Sequence, residues 1–425
     1  VRMGPRLSKR TWGIIILVLV VAFYSVGTGF PFFFKFLYGL LLLIAMGLAW
    51  AWINLRGIEV QLTRTSTRGQ VGENMEGRIR IINQNRLPKS WLEVVEYSDL
   101  PGYTAGRGVA LVRNQSRTWR TETNLYRRGV YHVGQVEITS QDPMGLFRLR
   151  RRFLEPQPFI VLPATVPLPD LDPRFANLPS DSARTRHVDQ ITTDVSSLRN
   201  YVPGDSFRRI HWPYTARMNT LMVKEFDLGI SADAWVVLDM HWGAHVPSDD
   251  LTNNTEELSV TIAASLISRM VELSMPVGLG ANAAQNHIYR PDSSPEHLGR
   301  LMEALAEARA VGAISLERFI YDLRPNLSRF NTLTVVTPSA RSEWVPALSR
   351  LKRQGVNVGV VLVDPESFGG PDSIQYTAEF LMSNEIPTYV VRQGQSLNEA
   401  LRFPLGGPQP LEALVQRTSA SRASP

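Results

Sequence analysis

The hydrophobic pattern divides the chain into sections with different periodicities. Two long apolar runs come first, Thr11–Phe30 (TWGIIILVLVVAFYSVGTGF) and Phe36–Leu55 (FLYGLLLLIAMGLAWAWINL). Each approaches the roughly 20 residues that a helix needs to cross the hydrocarbon core of a bilayer. The second run follows almost at once, which disfavours a cleaved signal peptide. Trp50 and Trp52 are typical of an interfacial aromatic belt. The pattern predicts a transmembrane hairpin over residues 1–56.

Basic residues around these runs predict the orientation of the hairpin. Four of them precede the first run, and Arg56, Arg64 and Arg68 follow the second. The short turn predicted over residues 27–35 carries only Lys35. Because short cytoplasmic segments carry an excess of Lys and Arg, both termini are expected in the cytoplasm. The expected localisation is the inner membrane, with two passes and the bulk of the chain on the cytoplasmic side.

From Ile58 to about Ala164 the pattern changes to period two. Short runs rich in Val, Ile, Thr and aromatic residues are separated by Gly, Pro, Asn and Asp. In Gly77–Asn83 (GRIRIIN) isoleucines alternate with arginines, as a half-buried strand requires. Short strands with frequent turn signals predict an antiparallel β-sandwich domain over residues 57–165.

One run of this section, Phe147–Phe153 (FRLRRRF), has four arginines in seven residues. Contact with anionic lipid headgroups is one interpretation, because the section follows the predicted membrane spans. A strand with one solvated face is the other interpretation. The sequence favours the solvated face, since lipid contact needs a geometry that the pattern does not provide.

After Ser231 the apolar runs become nearly continuous, as in strands buried on both faces. Helical patterns alternate with them at Thr255–Leu273, Pro295–Arg309 and Glu343–Gln354. This alternation predicts a doubly wound α/β sheet over residues 231–402. Residues 166–230 are then a linker that contains a distinctive polar segment, and residues 403–425 are expected to be a flexible tail.

Asp239 ends the first of the buried runs, and ligands of doubly wound folds bind beyond the carboxyl ends of the strands. The sheet section resembles a von Willebrand factor A domain, whose metal motif at this position is Asp-x-Ser-x-Ser. Here both serines are replaced, by His241 and Gly243. A divalent cation needs several oxygen ligands, so no bound magnesium is expected. Zinc bound by Asp239, His241 and His245 is a weaker alternative, because Gly243 and Pro247 predict a loop.

Composition narrows the functional classes. The formal net charge is +6, from 45 basic and 39 acidic residues, but residues 1–56 alone hold six basic and no acidic side chains. The remaining chain is therefore neutral, which argues against a nucleic-acid partner. No cysteine is present, which excludes disulfides and thiolate chemistry. Neither a Walker loop nor a Gly-x-Ser-x-Gly elbow occurs, and no cofactor is expected.

The segment Tyr201–Arg217 (YVPGDSFRRIHWPYTAR) combines turn, charged and aromatic residues. A Pro-Gly turn at 203–204 is followed by Asp205, which is expected to cap a short helix. That helix is predicted over Ser206–Trp212, ended by Pro213, and followed by a strand.

Two interpretations of this segment compete. Asp205, Ser206 and His211 are residue types of a hydrolase, but no elbow exposes the serine. In the favoured interpretation the segment is structural. Asp205 caps the helix, an arginine pairs with a carboxylate such as Glu225, and Trp212 is buried at a domain junction.

At these residues the chain resembles the bacterial domain of unknown function 58 family. The resemblance rests on Leu198–Asp227 and on Arg127–Phe147, with its Arg-Gly pair and Asp-Pro-x-Gly-Leu-Phe turn. The signature residues, which are also the candidate interaction residues, are Tyr201, Pro203, Gly204, Asp205, Arg208, Ile210, Trp212, Ala216 and Arg217. The resemblance implies an association with MoxR-type AAA+ ATPases and with other von Willebrand-domain membrane proteins, and it supplies no catalytic residues.

The expected function is a membrane-anchored, non-enzymatic adaptor or assembly factor. Its partners are expected to be the lipid bilayer and proteins, among them a MoxR-type ATPase. The alternative is a hydrolase or metal-dependent enzyme that uses Asp205 and His211, or the Asp239, His241 and His245 cluster.

Overall fold

The computed structural model describes residues 4–7, 9–171, 195–201, 210–218, 220–226, 233–284, 286–329 and 331–406. The chain divides into two compact units. The first comprises Val1–Thr165, Ser248–Ala264 and Gly299–Ala308, and the second comprises Val166–Pro247, Ser265–Leu298 and Arg309–Pro425.

Two apolar helices begin the first unit, α1 over Lys9–Thr28 and α2 over Pro31–Leu55. Both are long and apolar enough to cross a membrane. The turn between them is shorter than predicted and holds only Gly29 and Phe30. Gly29 adopts a φ of 64°, which glycine tolerates because it lacks a Cβ. Pro31 begins α2, since its fixed φ suits the first helical position and no N–H partner is needed there.

The rest of the first unit is rich in strands. They are β1 (Gly4–Leu7), β2 (Ile58–Arg64), β3 (Arg68–Gln70), β4 (Asn74–Asn83), β5 (Lys89–Tyr97), β6 (Ala105–Leu111), β7 (Ser116–Asn124), β8 (Gly129–Val133), β9 (Gln135–Gln141), β10 (Phe147–Arg152) and β11 (Gln157–Leu162). Three sheets result, with the orders β1-β10-β9-β5-β6, β2-β4-β7 and β3-β11-β8. The β3/β11 pair is parallel, and the other pairs in these sheets are antiparallel.

The alternation predicted for Gly77–Asn83 is confirmed in β4, where Ile79 and Ile81 are buried and the neighbouring arginines are exposed. These isoleucines belong to one apolar cluster with residues of β5, β6, β9 and β10, so two sheets share a core. Ala51 and Leu55, at the end of α2, are fully buried in the same cluster.

Polar contacts also hold the end of α2 against the strands. The Lys89 ammonium donates to the carbonyl of Ile53 at 2.5 Å, and Arg151 donates to the carbonyl of Leu55 at 3.3 Å. Such side chains satisfy the carbonyl groups that a helix leaves unpaired at its C-terminus. Burial lowers the pKa of Lys89. The last turns of α2 are therefore part of the β-rich core.

In the second unit a sheet has the order β16-β15-β14-β17-β18-β19. The strands of this unit are β12 (Val195–Asn200), β13 (Met222–Phe226), β14 (Ala234–Leu238), β15 (Val277–Asn282), β16 (Asn286–Asp292), β17 (Thr332–Thr337), β18 (Asn357–Val363) and β19 (Thr388–Val391). Strand β16 is antiparallel to β15, and the other strands of the sheet pair in parallel. Strands β12 and β13 form a separate antiparallel pair.

Helix α3 (Trp212–Met218) lies between β12 and β13. The helices that follow strands of the larger sheet along the chain are α4 (Thr255–Glu272), α5 (Pro295–Glu307), α6 (Leu316–Leu323), α7 (Val345–Arg353), α8 (Gln375–Ser383) and α9 (Leu397–Ala400). The three helices predicted from periodicity correspond to α4, α5 and α7. Side chains of α6, α7 and α8 pack on β14, β17 and β18 in one buried cluster. The predicted alternation of buried strands with helices is confirmed.

Candidate functional site

Asp239 lies at the carboxyl end of β14, beside the end of β17. The chain passes from β14 to β15 on one side and later returns to β17 on the other, so strand order reverses at this point. In open α/β sheets, ligands bind at such a reversal. The position is the one that the sequence pointed to.

The carboxylate of Asp239 is buried and fully engaged in hydrogen bonds. One oxygen accepts the backbone N–H of His241 at 3.1 Å and the side-chain amide of Asn282 at 2.9 Å. The other accepts the hydroxyl of Thr337 at 2.7 Å. Asn282 also accepts the N–H of Met240 at 2.6 Å and donates to the carbonyl of Ile314 at 3.0 Å. The aspartate thus joins the ends of β14, β15 and β17.

The two histidines after Asp239 lie in a turn, as the loop prediction required. The Nδ1 atom of His241 accepts the N–H of Gly243 at 3.2 Å, and Nε2 of His245 contacts the carbonyl of Asp239 at 2.8 Å. These partners use one nitrogen of each ring for the loop itself. Within the part of the chain that the structure describes, no group of three or more His, Asp or Glu side chains is placed to hold a metal ion.

Gly312 supports this loop from the neighbouring segment. Its N–H donates to the carbonyl of Met240 at 2.9 Å, and its carbonyl accepts the N–H of Trp242 at 3.1 Å. A Cβ at this position would lie 1.7 Å from the carbonyl oxygen of Asn282. Only glycine allows the two backbones to approach so closely.

Part of the signature segment lies outside the described residues, namely Pro203, Gly204, Asp205 and Arg208. The predicted helix cap by Asp205 and the predicted ion pair of Arg208 therefore lie outside the described residues. Tyr201 is half-buried, and its N–H donates to the carbonyl of Leu221 at 2.8 Å.

The segment after it begins with a backbone bridge to β13. Ile210 is buried and pairs with Val223 of that strand. The next N–H, that of His211, donates to the carbonyl of Met222 at 2.8 Å. Ile210 and His211 are therefore not helical, and the prediction of a helix that continues to Trp212 is wrong.

Helix α3 begins where the sequence predicted that a helix would end. Pro213 occupies the first turn of α3, a position that proline favours, whereas the prediction assigned it to the end of the preceding helix. His211 caps α3, since its Nδ1 accepts the N–H of Tyr214 at 3.1 Å and its carbonyl accepts the N–H of Thr215 at 2.9 Å. Because Nδ1 is an acceptor here, the ring proton is on Nε2.

The prediction that Trp212 is buried at a domain junction is wrong. Its surface is 60% exposed. Met218, at the other end of α3, and Leu221 are also exposed, as are Ala216 and Arg217. The contacts with β13 are made by the backbone of Ile210 and His211, before α3, and by the Thr215 hydroxyl, which accepts the N–H of Met222, so the tryptophan at the start of α3 is left exposed. Of the described signature residues, Trp212, Ala216 and Arg217 are thus exposed, whereas Ile210 is buried.

Arg128 is a residue whose importance sequence reasoning missed. It is fully buried inside the first unit. Its guanidinium donates to Glu256 at 2.9 Å, to the carbonyl of Ala308 at 2.6 Å and to the carbonyl of Leu305 at 3.1 Å, and it pairs with Glu257. The resemblance included this arginine as part of an Arg-Gly pair, and that pair was the available signal.

Comparison with solved structures gives only distant likenesses. An alkylpurine DNA glycosylase AlkC from Pseudomonas fluorescens aligns with 25% of this chain and 30% of its own, at 16% identity and a TM-score of 0.19. The CARDB domain of a Pyrococcus furiosus protein aligns with 24% of this chain and 91% of its own, at 12% identity and a TM-score of 0.19. These TM-scores are too low to support an argument about fold or function.

Among curated proteins, the chain is similar to the "Uncharacterized protein YeaD" of Bacillus subtilis. The two are 23% identical over 314 residues, which cover 71% of this chain and 73% of the relative. The family model described as "Protein of unknown function DUF58" matches residues 197–376, from β12 to the beginning of α8. The resemblance drawn from the signature residues is therefore confirmed for this region of the chain.

Proposed function

We propose that this protein is a membrane-anchored adaptor without catalytic activity, which binds a protein partner through the signature segment. The observation that carries the proposal is the exposure of Trp212. It lies in the family-matched region, on a helix that begins at the signature. An exposed tryptophan is costly in water and typical of the centre of protein interfaces.

The anchor in this proposal is the α1–α2 hairpin. Its two helices are apolar over most of their length, and the turn between them has two residues. Basic residues flank the outer ends of both helices, whereas the turn is followed only by Lys35. This asymmetry supports an inner-membrane location with both termini in the cytoplasm.

The two sheet-rich parts have proposed assignments. The sheets β1-β10-β9-β5-β6 and β2-β4-β7 share one core, which supports a β-sandwich. The order of the second unit's sheet, with an antiparallel strand β16 at its edge, supports a von Willebrand factor A-like domain. Asp239 then occupies the position of the metal motif, but its carboxylate accepts three hydrogen bonds from protein groups.

The proposed interaction residues are Trp212, Arg217 and Met218 of α3, together with Leu221, which follows the helix. All four side chains are exposed. Tryptophan and arginine are the residue types most enriched among those that dominate binding energy. The partner proposed for these residues is a MoxR-type AAA+ ATPase, on the basis of the family resemblance.

Photo-crosslinking in native membranes tests this proposal. A benzophenone amino acid replaces Trp212 in the full chain, and the matched control replaces Trp242, which is also exposed and lies in the second unit. Membranes are irradiated with and without ATP, and crosslinked products are identified by mass spectrometry. We expect a AAA+ ATPase at position 212 and none at position 242. Recovery of no ATPase at position 212 in either nucleotide condition would refute the adaptor role.

A further inference from the structure

The turn Asp142–Phe147 touches both helices of the hairpin. The Thr11 hydroxyl of α1 donates to the carbonyl of Leu146. On α2, the Gly47 position faces the same turn, because a Cβ added there would lie 3.4 Å from the Phe147 ring and 3.6 Å from an Asp142 carboxylate oxygen. The turn therefore marks the level at which the hairpin leaves the β-rich section.

The turn is held in one conformation by its own aspartate. The buried carboxylate of Asp142 accepts the N–H of Met144 at 3.0 Å and that of Phe147 at 2.6 Å. Gly145 adopts a φ of 71°, which favours glycine. Met144, at the tip, is 53% exposed, whereas Leu146 and Phe147 of the same turn are buried. An apolar side chain is thus presented beside two apolar helices.

Helix length places this turn close to the bilayer. The sixteen residues Pro31–Met46 lie beyond the contact level on α2. At 1.5 Å per residue they extend about 24 Å, which is less than the roughly 30 Å of a hydrocarbon core. Trp12 follows Thr11 on α1 and is exposed, and Trp50 and Trp52 are exposed one to two turns beyond Gly47 on α2. Tryptophan at these positions marks the headgroup layer.

Arginines follow the turn directly. Arg148 is exposed, and Arg150 is half-buried with an Nε atom that has no hydrogen-bond partner among the described residues. The Arg56 guanidinium stacks on the Trp52 ring at 4.0 Å. Glu137 of β9 and Glu155 of the loop after β10 both pair with Arg152. Arg148 donates to the neutral amide oxygen of Gln141 at 3.3 Å, and among the described residues no carboxylate forms an ion pair with Arg148 or Arg150.

We propose that the turn Asp142–Phe147 and the first half of β10 form a bilayer-contact surface. Met144 enters the interfacial layer, and Arg148 and Arg150 bind the phosphates of anionic lipids. A basic cluster at the cytoplasmic surface attracts such lipids, and planar guanidinium groups suit phosphate oxygens. The inference rests on the proposed membrane anchor and is independent of the ATPase partner.

The depth of Met144 is directly measurable because the chain has no cysteine. Met144→Cys in the full chain is labelled with NBD and placed in phosphatidylcholine nanodiscs that contain 30% phosphatidylglycerol. The control is Tyr126→Cys. Tyr126 is 56% exposed and follows β7, whose last residue, Asn124, pairs with Asn74 at the beginning of β4. We expect quenching by lipids brominated near the headgroup at position 144 and none at position 126. Equal quenching at both positions would overturn the contact.

The lipid preference is tested with Arg148→Gln combined with Arg150→Gln. The control is Arg78→Gln with Arg80→Gln, which removes the same charge from exposed positions of β4. Native mass spectrometry measures the ratio of phosphatidylglycerol to phosphatidylcholine retained on the full chain. Loss of one favourable arginine corresponds to a decrease of about fivefold. The β10 variant loses two arginines, so we expect a decrease of at least that size for this pair only, and an equal decrease in the control would refute a specific site.

Carbonate extraction of cell membranes separates this inference from the anchor on which it rests. If the chain is released by carbonate, the proposed anchor is wrong. If the chain stays in the membrane but NBD at position 144 is not quenched, the anchor stands and the bilayer-contact surface is refuted.

Discussion

The guanidinium of Arg128 contacts two carbonyl and two carboxylate oxygens inside the first unit. Removing one partner of a buried ion pair leaves the other charge uncompensated, and this costs about 3–5 kcal/mol. Planar geometry matters as well, since Nε and Nη2 donate hydrogen bonds to different acceptors while Nη1 pairs with Glu257. A lysine offers a single point charge in the same space.

We therefore expect Arg128→Lys to lower the free energy of unfolding substantially, by at least about 2 kcal/mol, although the charge is retained. Arg127→Lys is the matched control, because Arg127 is the adjacent residue and is only half-buried. Thermal or denaturant unfolding of the full chain in detergent measures the difference. Equal effects of the two substitutions would contradict a special role of Arg128.

A second buried charge, Glu96, accepts a hydrogen bond from the Tyr103 hydroxyl and pairs with Arg64. Burial, and next the Glu96 carboxylate, raise the pKa of Tyr103 well above its usual value near 10. The folded chain therefore keeps the phenol proton at a pH at which the unfolded chain has lost it. Stability from this group is complete below about pH 10 and falls as pH rises further.

Tyr103→Phe removes a hydrogen bond to a charged group, which contributes about 1.5–3 kcal/mol. We expect the variant to be less stable by about that amount at pH 8. The difference from the wild type should shrink above pH 10, because only the wild type loses the phenol contribution. Denaturant unfolding of both chains between pH 8 and 11 measures this. Groups such as Lys89 titrate in both chains, so their contribution cancels in the difference between the two free energies of unfolding. A constant difference would contradict the shifted pKa.

Among the elements, α2 has two environments within one helix. Its first part is exposed and apolar, whereas Leu55 is fully buried among strands. The predicted boundary at residue 56 separated the hairpin from the β-rich domain, but the core of that domain includes the last turns of the helix. Hydropathy alone could not reveal this, because a side chain that faces lipid and one that faces a protein core are equally apolar.

Leu55→Ala should therefore behave as a core substitution and cost about 2–5 kcal/mol. Leu42→Ala, in the same helix at an exposed position, should cost less than about 1 kcal/mol. Unfolding of the full chain in detergent measures both. Similar losses for the two variants would mean that the end of α2 does not contribute to the core.

In helix α3, by contrast with Leu55 of α2, we expect substitution of the tryptophan to have little effect on stability. Because Trp212 is mainly exposed, Trp212→Ala should change the free energy of unfolding by less than about 1 kcal/mol while it removes the proposed partner contact. Differential scanning fluorimetry measures the first effect and co-purification the second. If the free energy of unfolding fell by several kcal/mol instead, Trp212 would be buried, as the sequence predicted.

Local patterns predicted the elements well, because strand and helix periodicities are properties of neighbouring residues. They failed at Pro213, since a proline can end one helix or begin the next. The bridge from Ile210 to Val223 keeps the residues before Pro213 out of a helix, and local sequence does not encode this contact. Arg128 was missed for the same reason, as its partner Glu256 lies 128 residues away.

On the scale of the whole molecule, the proposed adaptor role predicts that the purified chain contains no stoichiometric zinc or manganese. The Asp239 carboxylate is already occupied by protein donors, and His241 and His245 each use one ring nitrogen within their loop. Elemental analysis of the full chain measures this. One metal per chain, lost on replacing both histidines, would instead support the enzyme alternative.

The pairing of β1 with β10 constrains how the protein can be made. Leu7 pairs with Phe147, so 140 residues separate the partners. At about 5–20 residues per second the ribosome needs roughly 7–28 seconds to produce the second strand after the first. Both hydrophobic helices are synthesised within that interval, while β1 still has no partner strand. In the proposed membrane-anchored protein, insertion of the hairpin therefore begins before the sheet is complete.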